Sequence, residues 1–394
     1  MNKDTLKTGV QEFITKNINT DTMSVLLKKT PFTTVSSKEL VEQIEAKKKC
    51  QKKLPKWYNT PNIYYPNKLN IEQTSSQKTA QYKASLLDKN SVLDITGGFG
   101  VDSYYFSEKM KEVSHCEINE KLAQIAAHNF NELGAKNIKT FPFDGIKYLQ
   151  KSNQFYDWIY IDPSRRNDAK GKVFLLSDCL PNVPKNIELL FSKTNNIAIK
   201  TSPLLDFSVG ISELKYVKEI HVVALENEVK ELIWILEKNY SDTIKVQTVN
   251  IGKKHSDYFT FTLNEEKDVS TNYELPQQYL FEPNSAILKS GAFKTLGAKL
   301  NLNKLHVNSH LYTSKHMEPT FPGRIFKIEN SIIYNKKNIK DLKISKANIT
   351  TRNFPEKVAN LRKKHKISDG GTIYLFFTTD INNNLTVLIC SKNN

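Results

Sequence analysis

The chain has 394 residues, long enough for two or three domains, and its 39% hydrophobic and 25% charged residues exclude a disordered protein. Lys and Arg number 57 against 41 Asp and Glu, which gives a net charge of +16. A soluble protein this basic often binds a polyanion such as nucleic acid, although a lysine-rich proteome would give the same excess.

Four cysteines lie far apart, without a CxxC pair or a Cys/His cluster: Cys50, Cys116, Cys179 and Cys390. This spacing suggests neither a zinc site nor a disulfide framework, and we expect no bound metal. No apolar run approaches the ~18 residues of a membrane span, and the first residues lack the apolar core of a signal peptide. We therefore expect a cytoplasmic protein with reduced thiols and no membrane partner.

Residues 1–78 are expected to form a helical N-terminal region, because apolar residues recur at helical spacing from Val10 onward. The basic run 47–56 comes directly before Trp57. Basic residues beside an aromatic ring suit phosphate contact and base stacking, and a solvated helix end with a packed tryptophan is the alternative. A further helix is predicted over about 77–87, and its N-terminal end could lie across the site formed by the next segment.

A short apolar strand over 91–95 leads into a glycine-rich turn and a predicted helix over 103–110. The turn contains Thr96, Gly97, Gly98 and Gly100. Glycine lets the backbone approach a ligand that a Cβ would hold away, so the turn indicates a nucleotide-type site; an ordinary strand–turn–helix is the alternative. The pattern is neither GxGxxG nor the P-loop pattern GxxxxGK, which disfavours dinucleotide and triphosphate sites.

Three more predicted strands each end at a polar or glycine residue. They are 113–118 with Glu117 and Ile118, 138–143 with Asp144 and Gly145, and 157–161 with Asp162, Pro163, Ser164, Arg165 and Arg166 after it. The carboxyl ends of parallel strands meet at one sheet edge, where the ligands of such sheets bind. A carboxylate after the second strand is placed to hold two ribose hydroxyls. The pattern predicts a doubly wound α/β sheet.

The later segments continue this sheet and then leave it. The predicted elements are strands over 196–200 and 219–225, a helix over 228–236, and strands over 246–251 and 258–263 that close the sheet as an antiparallel edge. A polar linker over 264–276 separates this sheet from a second unit. That unit ends in a predicted two-stranded hairpin around residues 382–384.

These motifs resemble those of the class I S-adenosylmethionine-dependent methyltransferases. Residues 94–100 are similar to the first motif, which cradles the methionine part of the cofactor. Glu117 stands where the ribose-binding acid of the family stands, and Asp144 is similar to the acid that contacts the adenine amino group. Asp162 and Pro163 are similar to the catalytic-loop motif.

The resemblance covers roughly residues 80–265, and residues 116–130 are most similar to RNA guanine-N2 methyltransferases such as trimethylguanosine synthase. It implies a Rossmann-like fold and S-adenosyl-L-methionine as the cofactor. The implied cofactor residues are Asp94, Thr96, Gly97, Gly98, Gly100, Glu117, Ile118, Asp144 and Gly145. The implied catalytic residues are Asp162 and Pro163. Ser164, Lys200 and Ser202 are expected as substrate contacts. Arg165 and Arg166 are expected to hold a phosphate or carboxylate of the substrate, and a structural ion pair with Asp157, Asp168 or Asp178 is the alternative.

The catalytic loop departs from the amino-methylating relatives, in which the loop acid and a backbone carbonyl bind the target amino group and an aromatic residue stacks on the base. Here Ser164 and Arg165 replace the proline and the aromatic residue. An Asp-Pro-Xaa-Arg loop is also similar to that of RNA uracil-C5 methyltransferases, which need a cysteine nucleophile. Cys179 is the nearby candidate, and its neighbours predict packing. The methylated atom therefore stays open.

Residues 278–394 resemble the C-terminal THUMP-like domain that accompanies a group of bacterial class I methyltransferases. The segments 321–324 and 352–355 are among those that carry the resemblance. It implies an α+β domain that helps to bind RNA. The residues expected to supply phosphate-binding charge there are Arg324, Arg362, Lys363 and Lys364.

The leading hypothesis is an S-adenosylmethionine-dependent methyltransferase that modifies a base in structured RNA, either tRNA or rRNA. A methyltransferase of a protein or small molecule, and a non-catalytic RNA-binding protein that retains the fold, are the alternatives. The predicted domains are a helical region over 1–78, the methyltransferase domain over 79–265 and the THUMP-like domain over 278–394. The oligomeric state stays open.

Overall fold

A computed structural model describes residues 1–165 and 175–392, and of Arg165 it describes the backbone alone. The described chain divides into two compact units. The first contains Met1–Lys218 and Glu231–Asp242. The second contains Glu219–Lys230 and the chain from Thr243 onward.

The N-terminal region is helical, as its apolar spacing predicts. A 3-10 turn at Lys3–Leu6 precedes α1 (Thr8–Lys16), α2 (Thr22–Leu27), α3 (Ser37–Lys53), α4 (Pro55–Asn59), α5 (Lys68–Gln73) and α6 (Gln77–Leu86). The long helix α3 begins at a capping box, in which the Ser36 hydroxyl accepts the Glu39 N–H and the Glu39 carboxylate accepts the Ser36 N–H. Apolar side chains of α1, α2 and α3, among them Ile14 and Leu40, form one buried cluster.

Trp57 is fully buried beside three other aromatic rings. Its ring centroid lies 4.9 Å from that of Tyr104, 5.9 Å from that of Tyr105 and 6.3 Å from that of Phe99. A buried ring cannot stack on a nucleobase in solution. The base-stacking interpretation is therefore wrong for Trp57, and the alternative of a packed tryptophan is confirmed.

The first unit is built on a mostly parallel sheet with helices between its strands, which confirms the predicted α/β fold. The elements that follow α6 are β1 (Ser91–Asp94), α7 (Val101–Ser107), β2 (Glu112–Cys116), α8 (Glu120–Glu132), β3 (Ile138–Phe141), α9 (Gly145–Lys151), β4 (Trp158–Ile161), β5 (Ser164–Arg165), β6 (Cys179–Leu180), α10 (Val183–Phe191), β7 (Asn196–Thr201), α11 (Phe207–Glu213), β8 (Val217–Leu225) and β9 (Glu228–Glu237). The strand order in this unit is β9-β7-β4-β1-β2-β3. Neighbouring strands are parallel except for β7 and β9.

Residues 228–236 belong to strand β9, so the helix predicted for them is wrong. The turn before β9 holds Glu226 and Asn227 at φ values of +51° and +67°. Two left-handed residues in a row are typical of the type I′ hairpin turn. The apolar run 232–236 is buried at every position, as in a strand covered on both faces. Such a run has no period that separates a strand from a buried helix, which explains the error.

In the second unit, β10 (Lys245–Ile251) runs parallel to β8, and β11 (Ser256–Thr262) runs antiparallel to β10. The antiparallel edge predicted for both segments is therefore confirmed for β11 alone. Every register pair between β8 and β10 joins Glu219–Leu225 to Lys245–Ile251.

The remainder of the second unit is an α+β fold on its own sheet. Its elements are α12 (Leu263–Asp268), β12 (Tyr279–Pro283), α13 (Ser285–Ser290), α14 (Phe293–Lys299), β13 (Asn303–Lys304), β14 (Tyr312–Ser314), β15 (Gly323–Ile333), α15 (Lys336–Asp341), β16 (Asn348–Arg352), α16 (Val358–His365), β17 (Ile373–Thr379) and β18 (Leu385–Lys392). The strand order is β13-β14-β12-β15-β18-β17-β16. The antiparallel pair β17 and β18 is the predicted terminal hairpin.

The segment 264–276 is not a plain polar linker, because α12 covers its first residues. The Glu266 carboxylate accepts three backbone N–H groups in the first turn of α14, at 3.1, 2.8 and 2.8 Å. A carboxylate in this position satisfies donors that a helix start leaves free and is favoured by the helix dipole. This polar stretch therefore has a structural role in holding α14.

Within residues 1–165 and 175–392, no helix combines the length and the apolar character that crossing a bilayer requires.

Candidate active site

A cavity of about 630 Å³ opens at the carboxyl ends of β1, β2, β3 and β4. Its volume is that of a small-molecule site, for which roughly 300–1,000 Å³ is usual. The predicted site residues that line it are Asp94, Thr96, Gly97, Gly98, Glu117, Ile118, Asp144, Gly145, Asp162, Ser164 and Lys200. The sheet thus brings together side chains that are far apart in the sequence.

The turn after β1 needs its glycines for two different physical reasons. Gly98 and Gly100 have φ values of +58° and +85°, in the left-handed region that glycine enters without Cβ strain. A Cβ at Gly97 would lie 2.1 Å from the ring of His115, and one at Gly100 would lie 2.4 Å from the ring of Phe130. Gly100 does not line the cavity but starts α7. Packing below the turn therefore fixes its shape, and its other side forms the cavity wall.

Glu117 is held in place by two backbone donors. One of its oxygens accepts the Gly98 N–H at 2.8 Å, and the other accepts the Asn119 N–H at 2.7 Å. An ionised carboxylate has about four lone-pair sites, so two more hydrogen bonds can form. Beside it, the side chain of Ile118 is exposed and forms an apolar part of the cavity wall.

Asp144 and Gly145 shape the wall at the end of β3. One Asp144 oxygen accepts the Lys147 N–H at 3.0 Å and caps α9. The other oxygen has no hydrogen-bond partner among the residues that the structure describes. A Cβ at Gly145 would lie 2.4 Å from the carbonyl oxygen of Ile95, so only glycine lets α9 start this close to β1.

Asp94 is buried and belongs to a network beneath the glycine turn. One of its oxygens accepts the Ser103 hydroxyl at 2.6 Å, and that hydroxyl lies 2.9 Å from Nδ1 of His115. The other oxygen accepts the Thr96 N–H at 3.0 Å. Burial raises the pKa of Asp94 to about 7 and lowers the pKa of His115 to about 3. Asp94 therefore acts on the site chiefly by shaping the turn.

Asp162 lies in the loop after β4 and is held at two points. Its N–H donates to the Thr96 hydroxyl at 2.7 Å, and its Oδ2 lies 2.5 Å from Nζ of Lys200. Burial alone would lower the pKa of Lys200, but the carboxylates of Asp162, Glu231 and Asp102 outweigh burial and raise it. Lys200 therefore stays charged. Oδ1 of Asp162 has no hydrogen-bond partner in the described part of the chain, and the residue lines the cavity.

A fully buried lysine, Lys83, binds three groups beneath the cavity. Its Nζ donates to the Ser75 hydroxyl at 2.8 Å and lies 2.8 Å from Glu231 and 3.2 Å from Asp102. Asp102 also accepts the hydroxyls of Ser75 and Tyr160, both at 2.9 Å. Burial would raise the pKa of Asp102, but the two nearby lysines outweigh burial and lower it.

Reasoning from the sequence missed this buried group, although one signal was present. Lys83 lies three residues after Ala80 and one before Ala84 on the buried face of α6. A lysine on the apolar face of a helix is rarely buried unless it is paired. Its partner Glu231 lies in strand β9, which the sequence pattern had predicted as a helix.

The segment before α6 also reaches the cavity, as was expected for the N-terminal end of the 77–87 helix. Its lining residues are Asn70, Gln73, Thr74 and Ser75. The segment is anchored on its far side, where Nζ of Lys53 donates to the carbonyl oxygens of Ile71 and Glu72 at 2.9 and 2.7 Å.

The remaining predicted acceptor contacts are only partly at the cavity. Ser164 lines it, while Pro163 and Ser202 do not. The Ser202 hydroxyl instead accepts the Leu204 N–H at 3.2 Å within a turn. Arg165 contributes its backbone to β5, and Arg166 lies outside the described residues.

Cys179 is buried in β6, and its thiol donates to the carbonyl oxygen of Leu175 at 3.5 Å. It does not line the cavity. This arrangement agrees with the packing interpretation rather than with a nucleophile. Among the described residues, no group of three or more His, Cys, Asp or Glu side chains is placed to hold a metal ion.

The predicted RNA contacts of the second unit are mostly engaged with acidic side chains. The pairs are Arg324 with Glu282, Arg362 with Asp369, and Lys364 with Glu356. Arg362 also donates to the carbonyl oxygen of Ala347 at 3.1 Å. Lys363 is exposed and forms no ion pair within the described residues. The RNA-binding roles of these four residues stay predictions.

Two family profiles match the C-terminal part of the chain: a ferredoxin-like domain over residues 279–322 and a THUMP domain-like family over residues 323–392. A curated RNA methyltransferase of Mycoplasma mobile, described as uncharacterized, is 35% identical over 93 residues. This alignment spans 23% of the present chain and 25% of the Mycoplasma protein, so the chain covers about a quarter of that relative.

The whole chain is similar to a protein of Porphyromonas gingivalis W83 whose crystal structure is described as that of a candidate methyltransferase. The two structures have a TM-score of 0.90 and are 32% identical in sequence. The alignment covers 100% of the present chain and 99% of the other.

Proposed function

Because the chain belongs to the family of class I methyltransferases with a C-terminal THUMP-like domain, we propose that it transfers the methyl group of S-adenosyl-L-methionine to a base of structured RNA, either tRNA or rRNA. The observation that carries the proposal is the meeting of Gly98, Glu117, Asp144 and Asp162 in one cavity. We also propose the division into a helical region over 1–78, a methyltransferase domain over 79–265 and a THUMP-like domain over 278–394.

The cavity residues fit the proposed cofactor. The Glu117 carboxylate, already oriented by the Gly98 N–H, retains acceptor capacity for two ribose hydroxyls. The unpartnered oxygen of Asp144 can accept a hydrogen bond from an adenine amino group. The glycine turn over 96–98 presents backbone to the methionine part, with no side chain at Gly98 to hold it away.

The charges around the cavity also fit a cation. Three carboxylates, those of Asp102, Asp162 and Glu231, surround two ammonium groups, those of Lys83 and Lys200. This group of five carries one more negative than positive charge. An excess negative charge beneath and beside the cavity favours a sulfonium over a neutral ligand of the same shape.

When bound, the cofactor supplies an electrophilic methyl group whose transfer breaks a carbon–sulfur bond. The protein has to place the acceptor atom in line with that bond, and positioning supplies much of the rate. Asp162 suits this role because Lys200 fixes one carboxylate oxygen and leaves the other free to accept a hydrogen bond from the acceptor. The Thr96 hydroxyl fixes the backbone of the same loop.

RNA as the acceptor is supported by three observations. The chain carries a net charge of +16, its C-terminal part matches a THUMP domain-like family, and 93 of its residues align with a curated RNA methyltransferase. A protein or small-molecule acceptor and a non-catalytic RNA-binding role are the alternatives that an assay must separate.

The test is methyl transfer from tritium-labelled S-adenosylmethionine to three substrates in parallel: total RNA, total protein and small-molecule extract. We expect label in RNA with the wild type and little with Asp162→Ala. Mass spectrometry of the RNA nucleosides then identifies the methylated base. Label in protein or extract alone, or no label with a protein that binds the cofactor, would contradict the proposal.

A further inference from the structure

Half of the chain's net charge lies in one short segment of the C-terminal domain. Residues 334–371, which span α15, β16 and α16, contain eleven Lys and Arg residues and three Asp and Glu residues. Their net charge is +8, against +16 for the whole chain. This concentration needs a physical account, because general lysine enrichment would distribute the excess along the sequence.

Internal ion pairs account for only three of these cations. Arg362 pairs with Asp369, and Lys364 lies 2.8 Å from Glu356. Arg352 lies 2.9 Å from Glu282, which lies outside the segment. Two of the three acidic residues of the segment are thereby used, and Asp341 is the third.

Eight lysines are left, and we call them the lysine surface. Each is exposed and has no ion pair among the described residues: Lys336, Lys337, Lys340, Lys343, Lys346, Lys357, Lys363 and Lys366. The helices that carry several of them lie side by side on one face of the sheet. Ile339 of α15 and Leu361 of α16 share a buried cluster there. The exposed sides of the two helices carry Lys336, Lys337, Lys340 and Lys363.

The charges of α15 and α16 are close enough to affect one another. Burial lowers the pKa of His365 in α16, and the ammonium groups of Lys364 and Lys336 lower it further. Lys336 belongs to α15, so its charge reaches across to the neighbouring helix. Like charges held this close repel one another, and a bound anion would relieve that repulsion.

The lysine surface offers point charges rather than exposed aromatic rings. No large hydrophobic side chain within residues 334–371 is exposed, and the rings of Tyr334 and Phe354 are half-buried. Lysine is a flexible point charge that suits phosphate oxygens. Phosphate contacts position a nucleic acid without reading its sequence.

We propose that the lysine surface binds the phosphate backbone of the RNA that is methylated, in a sequence-independent manner. This proposal rests on the proposed function and replaces most of the phosphate contacts expected from the sequence. Arg362 and Lys364 hold the domain together through their acidic partners, and Lys363 is retained as a contact. Base selection is then left to the cavity of the first unit.

The test compares two triple variants that remove the same charge. Lys336→Gln, Lys340→Gln and Lys363→Gln together remove part of the lysine surface. Lys109→Gln, Lys111→Gln and Lys136→Gln together form the matched control, because these lysines are also exposed and form no ion pair among the described residues. Filter binding of tRNA is measured at several salt concentrations, together with calorimetric binding of S-adenosylmethionine.

We expect the first variant to bind tRNA roughly tenfold to a hundredfold more weakly at 0.1 M salt, because each lost phosphate contact removes the release of condensed counterions. Its plot of log affinity against log salt should be flatter by about 2–3, at ~0.7–0.9 for each contact. Its affinity for S-adenosylmethionine should be unchanged. The control variant should keep the wild-type slope.

Three results would overturn the proposal. Equal losses of tRNA affinity in both variants would assign the effect to overall charge. An unchanged salt slope in the first variant would mean that its lysines serve solubility rather than RNA binding. Either result leaves the proposed function standing if the wild type methylates RNA. Both proposals would be overturned if the wild-type protein neither binds nor methylates RNA. In that case, binding to phosphatidylserine vesicles that depends on the same lysines would assign the lysine surface to membranes.

Discussion

The Nζ atom of Lys83 lies 2.8 Å from Oε1 of Glu231, a residue 148 positions further along the chain. The lysine side chain is 0% exposed and the glutamate side chain 3% exposed. A buried ion pair gains strong attraction but loses the hydration of both charges, so the loss of one partner is far more costly than loss of both. Because Lys83 also lies beside Asp102, its removal would leave two carboxylates without their shared cation.

Replacement of Lys83 by methionine is therefore expected to lower the free energy of unfolding by about 3–5 kcal/mol, the usual cost of breaking a buried pair. Urea denaturation monitored by fluorescence measures the change. Lys139→Gln is the control, since Lys139 forms a solvent-exposed pair with Glu112 and its replacement should lower the free energy of unfolding far less. Equal losses of unfolding free energy in the two variants would mean that the buried pair contributes no more to stability than the exposed pair.

Glu117→Ala is expected to weaken the binding of S-adenosylmethionine at least tenfold. The variant would lose the two charge-assisted hydrogen bonds that the carboxylate is proposed to form with ribose, each of ~1.5–3 kcal/mol. The Gly98 N–H would also lose its acceptor. Isothermal titration calorimetry measures the affinity. Glu132→Ala, at an exposed position at the end of α8, is the control. An unchanged affinity in a folded Glu117→Ala protein would remove Glu117 from the site.

Asp162→Ala is expected to lower the rate of methyl transfer roughly 10²–10⁴-fold, the range for a positioned acid–base group. Cofactor affinity should change little, because the ribose and adenine contacts lie on other strands. Single-turnover kinetics and calorimetry separate the two effects. Asp268→Ala at the exposed end of α12 serves as a control. Lost cofactor binding with normal turnover at saturation would be the reverse of the expected pattern.

His115 should make the fold sensitive to acid. Burial lowers its pKa to about 3 from the ordinary 6.5, so between these values the unfolded chain binds a proton that the folded chain does not. The stability contributed by the neutral imidazole is complete above pH 6.5 and is lost as the pH falls towards 3. His115→Gln removes this loss. The difference in the free energy of unfolding between the wild type and the variant should therefore shrink by about 1.4 kcal/mol for each pH unit that the pH falls between 6.5 and 3.

Urea unfolding of both proteins at pH 7, 6 and 5 measures that difference. The raised pKa of Asp94 acts with the opposite sign, since its contribution is lost as the pH rises from 3.8 towards 7. Asp94 is present in both proteins, so its contribution largely cancels in the comparison. A difference that stays constant across these pH values would show that His115 is not held as a buried neutral imidazole.

The cavity could be predicted from the sequence because its signals are local. Glycine or acid directly after an apolar run places Gly98, Glu117, Asp144 and Asp162 at strand ends, and the sheet topology then brings the strand ends together. The signal needs no knowledge of which segments pair over long distances. For this reason these four predicted residues line the cavity.

The buried cation under the cavity could not be predicted in the same way. Its recognition needs the pairing of α6 with β9, and the apolar run 232–236 is compatible with either a strand or a buried helix. Basic residues of the C-terminal domain pose a similar difficulty. Arg362 and Lys363 are neighbours of like charge in the sequence, yet among the described residues only Arg362 has an acidic partner.

The Thr96 hydroxyl that accepts the Asp162 N–H makes one residue common to two recognition events. Thr96 belongs to the turn proposed to receive the cofactor, and Asp162 belongs to the loop proposed to receive the acceptor. A ligand that restrains the turn also restrains one anchor of the loop, which lowers the entropy that the second ligand must still remove. Linkage makes such an effect reciprocal, so we expect the proposed cofactor and RNA each to raise the affinity of the protein for the other.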